Sequence, residues 1–145
     1  MAFRVGAAVA SDDDDVIDAA ARLGLHIGVV AQLLNDLQDV GPDAAVRKGD
    51  IRRGKRTLPI AYALQNARDE GLGDILHWIA RQASLSAEDE QRLVERMHDL
   101  GAHQYTWTVA QAHRHEALAA LRALSSASNR PTVRRLRHLI PRIAA

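Results

Sequence analysis

The chain has 145 residues, 47% hydrophobic and 26% charged, with 19 Lys and Arg against 18 Asp and Glu for a net charge of +1. That length suits one domain with a buried core, so residues 1–145 are expected to form a single domain, and the charge balance argues against a globally basic nucleic-acid binder. The absence of cysteine excludes disulfides, thiolate metal sites and cysteine nucleophiles.

Aromatic residues make up 3% of the chain and alanine is abundant, which favours helices packed through small side chains over sheets. Residues 1–10 are apolar and read as the end of a helix. Ser11 followed by Asp12, Asp13, Asp14 and Asp15 reads as a helix start, with the serine as cap and the carboxylates at the positive end of the helix dipole. From Val16 to Val40, apolar residues recur at spacings of three and four (Ile17, Ala20, Ala21, Leu23, Ile27, Val30, Ala31, Leu34, Leu37), predicting one long helix ended by Gly41-Pro42. Gly24 and Gly28, one turn apart inside it, suggest close packing against another helix. Each costs about 1 kcal/mol of helix propensity relative to alanine. The longest stretch of the first half without Asp, Glu, Lys or Arg is Leu23 to Asn35, 13 residues. That is shorter than a bilayer span, and no basic segment with an apolar core opens the chain, so a cytoplasmic protein with no transmembrane segment is expected.

Residues 43–56 are polar and irregular. Thr57, with Pro59 in the first turn, opens a helix stopping near Gly71, and another is predicted over about Leu72 to Gln82, carrying Trp78. Ser86 to Asp89 forms a variant capping box for a helix patterned on Leu93, Val94, Met97 and Leu100 and ended by Gly101. A long helix follows from Tyr105 to Leu124. Asn129 and Pro131 open the last. No segment alternates at period two, so the fold class is all-α. His98, His103, His113 and His115 read as surface residues. His113 and His115 are two apart and do not share a helix face. Six arginines and no acid follow Glu116, and Arg134, Arg137 and His138 line up as a basic stripe on the last helix.

The stretch with the clearest chemistry is Gln32-Leu-Leu-Asn35-Asp36-Leu-Gln-Asp39. At 3.6 residues per turn Gln32, Asn35, Asp36 and Asp39 fall on one side of the long helix. Two carboxylates three residues apart with an amide carbonyl beside them make an oxygen-only ligand set, which suits Mg²⁺. The loop that follows carries Lys48, Asp50, Arg52, Arg53, Lys55 and Arg56. An acidic face beside a Lys/Arg loop is the charge pattern that grips a diphosphate through a bridging metal.

The order Gln-x-x-Asn-Asp-x-x-Asp, then Lys48-Gly-Asp50 and Gly54-Lys55-Arg56-Thr57-Leu58-Pro59, resembles the second aspartate-rich region of the trans-isoprenyl diphosphate synthases. The resemblance implies an all-α bundle of the isoprenoid synthase type around a deep cavity, usually dimeric. It implies prenyl transfer from an allylic diphosphate to isopentenyl diphosphate. It also implies roles: Asn35, Asp36 and Asp39 as the Mg²⁺ face, Lys48, Lys55 and Arg56 on the diphosphate, and Gln32 with Lys55 at the reaction centre. The chain departs from the family pattern in having Asn35 in place of an aspartate, Ala31 in place of an aromatic, and no first aspartate-rich motif. Asp12 to Asp15 do not replace that motif, standing about five turns (~30 Å) from Asp36 along the helix. The resemblance thus covers roughly half of the family fold, its C-terminal half. It implies a homo- or hetero-oligomer, including one with a chain that supplies the first motif. Two readings from other classes stay open: a non-catalytic helical interaction or regulatory subunit, and a truncated remnant.

Overall fold

A computed structural model describes residues 1–38, 40, 55–67, 73, 86–127 and 131–141. Those residues are helical without a strand, as the composition implied: α1 (Ala2–Ala10), α2 (Asp14–Gln38), α3 (Leu58–Asn66), α4 (Ala87–Asp99), α5 (Ala102–Ala127) and α6 (Pro131–Arg135), which tightens into a 3₁₀ turn over Leu136–Leu139. The helix expected over residues 72–82, with Trp78, lies outside the described residues apart from Gly73. Residues 1–32 with 109–145 form one compact unit and residues 33–108 a second, so α2 and α5 each contribute to both.

In the first unit α2 presents Val16, Ala19, Ala20 and Leu23, and α5 presents Ala117, Ala120, Leu121 and Leu124. Both sets run i, i+3, i+4, i+7, which places each on one helical stripe. Half of these residues are alanine, so helix backbones can approach closely with little side-chain volume between them. Val133 and Ile140 complete the core, and Phe3 and Ala7 of α1 pack against it.

The entry to α2 differs from the expected serine cap. Ser11 ends α1, its N–H bonding the Ala7 carbonyl at 2.9 Å, while its Oγ accepts from the Asp13 N–H at 3.2 Å. Asp13 caps α2: its Oδ1 accepts from the N–H groups of Asp15 (2.9 Å) and Val16 (3.4 Å). A carboxylate supplies both lone pairs and negative charge at that end of the helix, so it satisfies donors and dipole together.

Of the two glycines inside α2, only Gly24 has the close packing expected. A Cβ there would stand 2.7 Å from three carbons of Phe3, whereas nothing lies within 4 Å of one at Gly28. Gly24→Ala is expected to cost about 1–3 kcal/mol by forcing Phe3 outward. Gly28→Ala should add roughly 0.5–1 kcal/mol through helix propensity. Thermal denaturation of the two variants should therefore move in opposite directions.

The second unit is built on Val40, Ile60, Ala63, Ala67, Leu93, Val94, Met97 and Ala102, with Tyr62, Leu64 and Leu100 against them. The predicted capping box is present: Ser86 Oγ accepts from the Asp89 N–H at 3.0 Å and donates to the Asp89 carboxylate at 2.8 Å. Gly101 takes φ 78°, the left-handed conformation that ends α4, and its carbonyl accepts from the Tyr105 N–H, so α5 starts at once. The rings of Tyr62 and Tyr105 stack with centroids 4.4 Å apart.

By length and composition alone α2 is apolar enough to cross a membrane, which the 13-residue charge-free run did not suggest. Few charges flank that run, so a longer part of the helix stays apolar on average. About a third of that part is buried within the protein, and length and composition by themselves do not establish a span.

Candidate functional site

The last turns of α2 bring three of the sequence-selected residues into view. Leu33, Leu37 and Val40 are buried in the second unit, and Asp36 is buried with them at 4% exposure. Gln32 and Asn35 are exposed. With about 100° of rotation per residue, Asp36 stands at the shoulder of the buried face, Gln32 about 40° further out, and Asn35 beyond it. The side that the sequence groups as a single polar face is therefore divided, with Asp36 inside and its two amide neighbours in solvent. Asp39 and Lys48 lie outside the described residues, as do Asp50, Arg52 and Arg53.

Lys55 and Arg56 are exposed and lead into Thr57, which is buried at the start of α3. Thr57 is extended and holds the N-cap position, with Pro59 in the first turn, but its side chain makes no capping bond. The first turn of α3 thus follows two cations and has no side-chain acceptor at its cap. Uncapped N–H groups and the helix dipole at such a terminus favour an anion. Asn35, Asp36, Lys55 and Arg56 all belong to the second unit, and Gln32 is the last residue of the first, on the same helix. Gln32, Asp36 and Lys55 each make polar or electrostatic contacts.

Among the described residues no group of three or more His, Asp or Glu side chains could hold a metal ion by itself. The donors present at the end of α2 are the Asn35 amide oxygen and the Asp36 carboxylate. That set is all oxygen and low in charge. It fits Mg²⁺, which binds through one or two carboxylates and takes its remaining ligands from water and phosphate. It does not suit Zn²⁺ or Cu²⁺, which favour imidazole or thiolate.

Two features have no signal in the sequence. His26 of α2 meets His113 of α5, a residue expected at the surface, with their Nδ1 atoms 2.8 Å apart. The residues are 87 apart in the chain, and no local pattern signals the meeting. The second is a cavity of about 350 Å³ in the second unit, lined by Val40, Val94, Glu95, His98, Asp99 and His103 among others. Of the terminal basic stripe, Arg137 and His138 are exposed, and the Arg134 side chain lies outside the described residues.

Residues 1–97 match the family model described as Polyprenyl synthetase. The chain belongs to the polyprenyl synthetase family. The match extends well past the Gln32–Pro59 motif into α4. A geranylgeranyl diphosphate synthase of Mycobacterium tuberculosis is 32% identical over 121 residues, covering 81% of this chain and 34% of that protein. A geranylfarnesyl diphosphate synthase of Aeropyrum pernix is 31% identical, covering 72% of this chain and 32% of its own length. A geranylgeranyl diphosphate synthase of Saccharolobus solfataricus is 26% identical over 93% of this chain and 41% of its own. This polyprenyl synthetase family chain spans about a third of the length of the curated relatives it matches. No solved structure gives a significant match.

Proposed function

We propose that the chain acts as the C-terminal part of an isoprenyl diphosphate synthase, holding the diphosphate of an allylic substrate during prenyl transfer. The observation that carries this reading is that one unit holds both halves of the charge pattern: the Asn35 and Asp36 oxygens at the end of α2, and the exposed Lys55 and Arg56 leading into the first turn of α3, which has no side-chain cap. Asn35, Asp36 and Asp39 would hold Mg²⁺. The ion would supply Lewis-acid neutralisation of the diphosphate. Lys48, Lys55 and Arg56 would bind the remaining phosphate oxygens and stabilise the leaving group's negative charge as the C–O bond breaks. Gln32, one turn before Asp36, would sit nearer the reacting carbon. The amide at position 35 offers an oxygen without a charge, so metal affinity should be modest.

The first aspartate-rich wall is expected from another chain, and both units are proposed to belong to one family-type domain completed by that partner. The surface supports a partner. Val5 and Val9 of α1, one turn apart, are 56% and 85% exposed, and Leu25 of α2 is 62% exposed. Apolar side chains spaced along a helix in this way suit burial against another protein. The same stripe favours a second reading, a non-catalytic helical subunit that docks on a complete synthase. Both readings place the protein in the cytoplasm as an oligomer.

Calorimetry with geranyl diphosphate tests the substrate reading. Binding is expected to require Mg²⁺ and to vanish with EDTA. Equal affinity with and without the metal would contradict it. Binding without catalysis, even with a partner that supplies the first motif, would favour the non-catalytic subunit.

A further inference from the structure

Outside the candidate site, the described contact that stands out is the one between His26 and His113. Both rings are half-buried, their centroids are 5.1 Å apart with planes inclined by 40°, and the Nδ1 atoms face each other at 2.8 Å. Two imidazole nitrogens at that distance must share one proton: one ring's Nδ1–H donates and the other's Nδ1 accepts, so the rings are held in opposite tautomers. Both residues lie in the first unit, and the contact ties α2 to α5 about one turn from the packed stripe of Leu23 and Ala117.

We propose that His26 and His113 form a clasp between α2 and α5, closed by one shared proton, that opens on acidification once both rings carry two protons, when no Nδ1 lone pair is left to accept and two imidazolium charges face each other. The charged groups acting on the clasp are Arg22 from α2, which opposes a second proton, and Glu116 from α5, which favours it. Arg114, beside His113 in sequence, buries its Nε without a hydrogen-bond partner. Burial first, and then the facing His113, lower the pKa of His26 below its ordinary value of 6.5. A histidine depressed in this way contributes stability that is present above the unfolded value. That stability is lost as pH falls through the folded value. The sensitive window therefore begins just under neutrality.

Long-range ¹⁵N–¹H spectra of the ring nitrogens test the clasp directly in the intact chain. Near neutral pH one ring should appear as the Nδ1–H tautomer and the other as the Nε2–H tautomer. On lowering the pH from about 7.5 to about 5, amide exchange around His26 and His113 should speed roughly tenfold beyond the intrinsic pH trend. In His113→Gln that acceleration should disappear. Two rings in the same tautomer, or exchange in the unsubstituted chain that follows only the intrinsic trend, would overturn the proposal. So would a folded His113→Gln chain that keeps the acceleration. The tautomer spectra decide the matter even where the variant does not fold.

Discussion

Asp36→Asn is expected to weaken Mg²⁺-dependent binding of a prenyl diphosphate by roughly ten- to a hundredfold, the equivalent of about 1.5–3 kcal/mol for a charged hydrogen-bonding group. Asp36→Lys should abolish it. The amide keeps the shape of the carboxylate and removes its charge, so this substitution separates electrostatics from packing. Because Asp36 is buried beside Leu33 and Leu37, a purely structural role would appear as a lowered melting temperature with affinity intact. A metal-holding carboxylate predicts the reverse: a melting temperature within a few degrees of the parent and a lost response to Mg²⁺. Charge reversal at Lys55, which is exposed, should weaken binding similarly and leave stability almost untouched.

Leu93→Ala carries the largest expected effect on stability. Leu93 is fully buried in a core whose other members include Ala63, Ala67 and Ala102. A loss of about 2–5 kcal/mol is expected, from lost transfer energy and the cavity left behind. At roughly 2–4 °C per kcal/mol for a chain of this size, the melting transition should fall by about 10 °C. Calorimetry of the variant measures both quantities. A drop of only a degree or two would mean that Leu93 is not packed as described.

Much of this architecture was legible in the residues because it depends on local rules. The Ser86–Asp89 box, the arrest of α4 at Gly101 and the stripe Leu93, Val94, Met97 each follow from contacts within one or two turns, and the structure has them as read. The start of α2 was displaced from Ser11 to Asp13 because several residues in a row could cap, and only the path of the chain out of α1 selects among them. Spacing placed Gln32, Asn35 and Asp36 together. Helical periodicity cannot say where along that arc the core begins, and the boundary falls between Asp36 and its neighbours. The His26–His113 contact was invisible because it depends on how two distant helices meet. Gly24 and Gly28 looked equivalent in sequence, and only the position of Phe3 separates them.

On the proposed reading, the end of α2 and the Lys55–Arg56 strap hold one metal–diphosphate unit. Paramagnetic broadening by Mn²⁺, used in place of Mg²⁺, reports on both segments at once. With inorganic diphosphate present, amide signals of Asn35, Asp36, Lys55 and Thr57 should broaden together at low Mn²⁺, and omission of the diphosphate should remove the effect at Lys55 and Thr57. Broadening confined to the acidic run Asp12–Asp15, with the end of α2 unaffected, would contradict the claim.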